Sequence, residues 1–162
     1  MTDAADAVLD LLLENARYTT TDIARMTGLD EPSVSETIQS LEDEGVIRGY
    51  RAVVDWSEAD RERVQAEVEV NVTLDRETGY EDVAERLVEF DEVTSLRLVS
   101  GDYDFDMEVE ADSMRDVSAF VSEQVAPMPA VDGTVTHLVM ASYKEGGMEM
   151  DDDDDDRLSV SP

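Results

Sequence analysis

The spacing of the apolar residues changes partway along the chain, and this change limits the possible folds more than any other feature. Between residues 3 and 41, apolar side chains recur every three or four positions, as on the buried face of amphipathic helices. From Val64 to Leu74 they alternate with polar side chains, which is the period of a strand with one solvent-facing side. A chain of 162 residues can hold two such small domains. We therefore divide it into a head (residues 1–55), a linker (56–63), a body (64–143) and a tail (144–162).

The head has the pattern of three short helices followed by a hairpin. Apolar spacing predicts a first helix over residues 3–13. Thr20 or Thr21 is placed to cap a second helix, and Asp30 is suited to cap a third. Residues 46–54, called the wing segment below, alternate and turn like a small β-wing. This order predicts a winged helix-turn-helix.

A winged helix-turn-helix places its third helix in the major groove of DNA, so the fold is typical of DNA-binding proteins. The candidates for contacts with base edges are the solvent-facing residues of that helix, Ser33, Ser35, Glu36, Thr37, Gln39 and Ser40. Among them, the amide of Gln39 can pair with adenine. The candidates for contacts with phosphates are the cations beside the second helix and in the wing segment, Arg17, Arg25, Arg48 and Arg51.

The charge of the chain is unusual for a protein that binds a polyanion. Its 42 acidic and 12 basic residues give a net charge of −30, and the head alone has 12 acidic and 4 basic residues, a net charge of −8. Every basic residue except Lys144 is an arginine. We expect such a surface in the salt-rich cytoplasm of a halophile, where a Debye length of about 3 Å at 1 M salt screens self-repulsion. Intrinsic disorder is the alternative, and a hydrophobic content of 41% with regular spacing argues against it.

Two absences narrow the chemistry. The sequence has no cysteine, which excludes disulfides, thiolate metal sites and cysteine nucleophiles. Its single histidine, His137, excludes a histidine-rich metal site.

No apolar run approaches the roughly 18 residues that span a bilayer, and the first residues lack the pattern of a signal peptide. We therefore expect a cytoplasmic protein.

The body alternates between strand and helix patterns. Strand patterns lie at residues 64–74, 93–99, 103–110 and 134–141, and helical patterns lie at 80–88 and 114–125. Gly101 and Asp102 are placed to form a two-residue turn between the second and third strands. The order βαββαβ predicts a ferredoxin-like α+β sandwich with both helices on one face of the sheet. The other face carries polar and apolar side chains, so we expect a homodimer or a higher homo-oligomer.

Two segments resemble those of one family, the Lrp/AsnC or feast/famine transcriptional regulators. Residues 41–50 (LEDEGVIRGY) resemble the end of the family's recognition helix and its wing, and residues 98–105 (LVSGDYDF) resemble its ligand-domain hairpin. The resemblance extends to about Lys144. It implies an N-terminal winged helix-turn-helix joined to a βαββαβ ferredoxin-like domain of the RAM type, which binds ligands and oligomerises.

The resemblance also implies an effector site. In the family, small effectors, usually amino acids, bind between subunits near the hairpin turn and near two threonines of the last strand. The matching positions are Ser100, Gly101, Asp102, Tyr103 and Asp104, together with Thr134 and Thr136. The ammonium group of an amino acid would suit Asp102 or Asp104, and its carboxylate would suit hydroxyl and backbone N–H groups.

The expected function is therefore a sequence-specific regulator of transcription that binds double-stranded DNA, needs no cofactor and responds to a small effector. The acidic head also fits an alternative, an amino-acid sensor that acts through protein partners without binding DNA. Siroheme decarboxylases have a similar head and body, but they are recognised by His and Arg residues around the hairpin. This chain has residues 100–103 (SGDY) there, and His137 lies inside the last strand, where a structural role is expected. We therefore do not expect an enzyme.

The tail contains six consecutive aspartates, Asp151–Asp156, after a segment with two glycines. Such a charge run predicts disorder. A solvated tail that favours solubility is one interpretation. The other is an acidic arm that competes with DNA for the arginines or binds cations.

Overall fold

A computed structural model describes residues 2–56, 58–76 and 78–150. The chain divides into two compact units, Met1–Ala52 and Val53–Pro162. For residues 151–162, including the aspartate run at 151–156, the prediction of a disordered tail lies outside the described residues. None of the helices described is long and apolar enough to cross a membrane.

The first unit contains three helices around a small core. The helices are α1 (Asp3–Glu14), α2 (Thr20–Thr27) and α3 (Glu31–Asp43). Five side chains form its buried centre, Val8, Leu12, Ile23, Ala24 and Val34. Because these residues lie on the predicted apolar stripes, burial of those stripes orients the three helices.

Helix α2 begins with a capping box at Thr19, so the prediction that Thr20 or Thr21 caps it was wrong. The Asp22 N–H donates to the Thr19 hydroxyl oxygen at 3.1 Å, and the Thr19 N–H donates to the Asp22 carboxylate at 3.2 Å. This reciprocal pairing satisfies two backbone donors at once and therefore fixes the first turn one residue earlier.

The wing segment does not form the predicted hairpin: residues 46–54 contain no strand. Val46, Val53 and Val54 each remain more than a third exposed. A two-stranded hairpin without an apolar layer to cover it is marginally stable. The apolar alternation in this segment therefore had no buried face to produce a paired structure.

The second unit is a four-stranded antiparallel sheet covered on one face by two helices. Its elements follow the predicted order as β1 (Val64–Val72), α4 (Tyr80–Leu87), β2 (Val93–Leu98), β3 (Phe105–Ala111), α5 (Met114–Phe120), a π-helical turn (Val121–Val125) and β4 (Val131–Leu138). The strands lie in the order β2-β3-β1-β4, which confirms the ferredoxin-like sandwich. Alternate residues of β1 and β3 form the core beneath the helices, Ala66, Val68, Val70, Phe105, Met107 and Val109.

Several boundaries in this unit differ from the prediction by one to three residues, and the largest differences are at the β2–β3 connection and at β4. The connection between β2 and β3 spans residues 99–104, and the Val99 N–H closes it by donating to the Asp104 carbonyl at 2.9 Å, so the two-residue turn was wrong. Strand β4 begins and ends three residues earlier than predicted. It ends at Leu138, opposite Ala66, because β1 offers few further backbone partners beyond that point.

Part of the predicted tail is ordered as a short hairpin, which we call the C-terminal hairpin (residues 144–149). It pairs β5 (Lys144–Glu145) with β6 (Met148–Glu149). The turn residues Gly146 and Gly147 have φ values of 53° and 83°. Two consecutive left-handed residues make a tight turn matched to the twist of a hairpin, and glycine adopts them without a Cβ penalty.

Candidate DNA-binding and effector sites

Helix α3 is capped in a way that fixes which side faces the solvent. The carboxylate of Asp30 accepts the Ser33 N–H at 3.0 Å and the Ser33 hydroxyl at 2.8 Å. The Ser33 hydroxyl, followed by its N–H, holds the pKa of Asp30 below its ordinary value. Because Val34 and Leu41 are buried, the opposite side of the helix is directed to solvent.

Three of the six predicted base-contacting side chains already make hydrogen bonds inside the helix. The Ser33 hydroxyl donates to Asp30, and the Thr37 hydroxyl donates to the Ser33 carbonyl at 2.8 Å. The Ser40 hydroxyl donates to Glu44 at 2.7 Å. These hydroxyls can still accept, but their protons are already engaged.

The side chains of Ser35, Glu36 and Gln39 are exposed and make no hydrogen bond or ion pair within the described part of the chain. They lie one helical turn apart or next to one another on the solvent side of α3. Donor and acceptor groups held outward on a rigid helix can meet base edges without first breaking internal contacts.

The four arginines of the head are all exposed. Arg25 forms an ion pair with Asp22 at 3.2 Å, and its side chain is 77% exposed. Arg17, Arg48 and Arg51 have no ion pair within residues 2–56, 58–76 and 78–150. Three cations of the head are therefore available to phosphates without competition from an internal partner.

Tyr50 ties the wing segment to α3, a link that the sequence did not suggest. Its hydroxyl donates to the Glu42 carboxylate at 2.9 Å, and burial followed by this bond raises the pKa of Tyr50. Since Glu42 lies in the last turn of α3, the bond holds the segment that carries Arg48 and Arg51 near the end of the helix.

The loop at residues 99–104 contains five of the predicted effector residues, and Asp104 anchors it. One carboxylate oxygen of Asp104 accepts the Val72 N–H at 2.9 Å, and the other accepts the Tyr80 hydroxyl at 2.9 Å. Its own N–H donates to the Val70 carbonyl at 3.1 Å. The hydrogen bond to Asp104 raises the pKa of Tyr80. Asp104 therefore joins the loop to the end of β1 and the start of α4.

The other four predicted effector residues of the loop, at positions 100–103, are mostly exposed. Ser100, Gly101 and Asp102 are exposed, and Tyr103 is half-buried. The Asp102 carboxylate makes no hydrogen bond or ion pair with any described residue. Of the two predicted ammonium ligands, Asp102 is free to bind a cation, whereas both carboxylate oxygens of Asp104 already accept hydrogen bonds.

Thr134 and Thr136 lie on the edge strand β4, opposite Val70 and Val68. Cross-strand neighbours share a face, so both threonines lie on the helix-covered face. Thr134 belongs to the same transverse row as Val70 and Phe105, at the end of the sheet where the loop lies. Two strand spacings, about 10 Å, separate it from Phe105. A single chain therefore places the loop and the threonines at one end of the sheet without joining them.

The open face of the sheet is more acidic than expected. Glu67 lies opposite Glu108, and Glu69 lies opposite Asp106. Burial, followed by the charges of Asp106 and Glu108, raises the pKa of Glu67. His137 contacts Glu69 at 3.1 Å on this face. Within the described chain, no cluster of His, Asp and Glu has the arrangement needed to hold a metal ion.

Comparisons with known proteins match both units. A winged helix-turn-helix DNA-binding model matches residues 7–48, and an Lrp/AsnC ligand binding domain model matches residues 65–149. An uncharacterised HTH-type transcriptional regulator of Bacillus subtilis, YugG, is 39% identical over 100% of this chain and 99% of its own length.

Two solved structures share the fold. The leucine response regulatory protein of Mycobacterium tuberculosis has a TM-score of 0.75 and 23% identity, covering 90% of this chain and 97% of that one. A transcriptional regulator of Neisseria meningitidis, in complex with L-Met, has a TM-score of 0.73 and 22% identity, and the match covers 90% of this chain and 93% of that one.

Proposed function

Because this chain belongs to the Lrp/AsnC family of transcriptional regulators, we propose that α3 selects DNA sequences through Ser35, Glu36 and Gln39 while the arginines of the head hold phosphates. The observation that carries this proposal is the outward side of α3, where these three side chains are exposed and unengaged. Membership confirms the expectation of a regulator rather than an enzyme.

The protein acts as a homodimer or a higher homo-oligomer. One head offers at most four arginines to DNA, so two heads on one duplex are needed for strong binding. Paired recognition helices contact half-sites about one helical turn, roughly 34 Å, apart.

The effector is an amino acid or a molecule with the same charged groups. The Neisseria relative was solved with L-Met, and the chemistry of the loop suits such a ligand. Asp102 binds the ammonium group, whereas Asp104 keeps the loop in place through Val72 and Tyr80. Thr134 and Thr136, supplied from the neighbouring subunit, complete the site and bind the carboxylate. Effector binding changes assembly and thereby DNA affinity.

The DNA-binding proposal is tested with two variants and two matched controls, measured by binding to labelled DNA fragments in molar KCl. Arg48→Ala should weaken binding to all sequences, because a phosphate contact carries no sequence information. Gln39→Ala should instead relax discrimination at one base position by about 1–3 kcal/mol.

Arg115→Ala and Gln124→Ala remove equally exposed side chains from the body and should leave DNA binding unchanged. Wild-type protein that binds no fragment selectively in molar KCl would favour the alternative function, a sensor acting through protein partners. Equal binding profiles for all four variants would contradict the assignment of α3.

The effector proposal is tested by thermal unfolding with each amino acid in molar KCl, because a ligand that prefers the folded protein raises its Tm. For the amino acid that gives the largest shift, Asp102→Asn should weaken binding about tenfold or more, since a charge-assisted hydrogen bond contributes about 1.5–3 kcal/mol. Asp91→Asn, an exposed carboxylate elsewhere in the body, is the control. Unchanged affinity in Asp102→Asn would remove this residue from the site.

A further inference from the structure

The C-terminal hairpin is linked closely to the strand that carries the proposed threonine ligands. Strand β4 ends at Leu138, and the hairpin begins at Lys144. Between them, the Val139 N–H donates to the Gln65 carbonyl at 2.9 Å, so the chain still follows β1. The Met150 N–H then donates to the Tyr143 carbonyl at 3.1 Å and extends the hairpin ladder. Because only residues 139–143 separate β4 from the hairpin, a displacement of β4 should also move the hairpin.

The turn of the hairpin packs against Val53. A Cβ atom added to Gly146 would lie 2.7 Å from the Val53 Cγ2 atom, whereas one added to Gly147 would meet no atom within 4 Å. The backbone at Gly146 therefore lies in close contact with the valine side chain. Val53 is the first residue of the second unit and directly follows Ala52, the last residue of the head unit.

We expect the hairpin to exchange between docked and undocked positions at low cost. All six of its residues are exposed, and an isolated two-stranded hairpin is marginally stable in water. The contact between Gly146 and Val53 is one of the contacts that hold it in place. An element with few buried contacts is the kind of element that opens locally while the core stays folded.

We propose that docking of the C-terminal hairpin on Val53 relays occupancy of the effector site to the point where the head joins the body. This inference rests on the proposed function, because it assigns a route to the response of that site. Effector bound at Thr134 and Thr136 favours one position of β4 and therefore one state of the hairpin. An effector shifts such an equilibrium only by its difference in affinity for the two states.

The test compares full-length Gly146→Ala with Gly147→Ala. Both glycines have φ values in the left-handed region, so alanine strains the backbone at either position. Only the alanine at 146 also collides with Val53. Val53→Ala in the Gly146→Ala background removes the colliding Cγ2 atom and serves as the rescue variant.

Two measurements are made in molar KCl. Amide hydrogen exchange at residues 53–56 reports docking, and it should be about tenfold faster in Gly146→Ala than in Gly147→Ala. DNA affinity with and without the active amino acid reports the relay. Gly146→Ala should lose the difference between the two DNA affinities while it still binds the amino acid, with an affinity changed only by the effector's difference in affinity for the two hairpin states. The rescue variant should restore both readouts.

Three results would overturn the inference. Equal exchange in the two glycine variants would show that the hairpin does not dock on Val53. A full effector response in Gly146→Ala would show that docking does not relay it. A wild-type protein whose DNA affinity ignores every amino acid would instead contradict the proposed function and the relay with it, and this outcome is distinct because it is seen before any substitution is made.

Discussion

Asp102 and Asp104 stand two positions apart in the same loop, yet their carboxylates have different surroundings. Asp104 accepts hydrogen bonds from Val72 and Tyr80, whereas Asp102 is exposed and has no partner among the described residues. The sequence identifies both as equal candidates for an ammonium ligand. Their difference depends on Tyr80, which lies 24 positions earlier in the chain. Such a long-range contact cannot be predicted from local spacing.

Glu67 allows a test of the electrostatics of the open sheet face. Its pKa is raised first by burial and then by Asp106 and Glu108, so the ionised form is less favourable in the folded than in the unfolded protein. The folded state then binds more protons, and its stability falls as pH rises from the ordinary pKa of glutamate through the folded pKa. Glu67→Gln should remove this fall and raise the Tm at neutral pH.

The measurement is thermal unfolding of wild type and Glu67→Gln over a pH series in molar KCl. High salt screens the charges of Asp106 and Glu108 but leaves the cost of burial, so part of the effect should persist. Glu85→Gln, an exposed carboxylate on α4, is the control and should change the pH profile less. Equal profiles for the two variants would show that Glu67 carries no special cost.

At the scale of elements, periodic burial made the helices and strands predictable. The three stripes of the head and the alternation in β1 and β3 each have one buried face, and the predicted order of elements was confirmed there. The wing segment also alternates, but Val46, Val53 and Val54 each stay more than a third exposed, and the segment forms no strand. Apolar alternation therefore predicts a strand only where a buried face and a paired strand exist.

Element boundaries depend on partners that lie far away in sequence. Strand β4 ends where pairing with β1 ends, and the connection between β2 and β3 ends at Asp104, whose carboxylate accepts the Val72 N–H. The C-terminal hairpin was predicted as part of a disordered tail because its residues are polar and glycine-rich. The same two glycines permit its turn, which is a local signal that the charge run beside it obscured.

For the whole molecule, charge is the property that most distinguishes the chain. A net charge of −30 and a head of −8 leave DNA binding dependent on few arginines, while counter-ion release normally supplies much of the affinity for DNA. The expectation of a salt-rich solvent stays a prediction. With so few arginines in the head, selectivity must come from the polar side chains of α3, and affinity must come from paired heads.

Sequence-selective DNA binding by this acidic regulator can be measured by selection of DNA from a random library with the full-length protein over a series of KCl concentrations around 1 M. We expect enrichment of two half-sites about one helical turn apart. With four arginines in a head, the slope of log affinity against log salt should be no steeper than about −3.6 for each head, from 0.9 for each phosphate contact. Absence of an enriched sequence, or a steeper slope, would contradict these expectations.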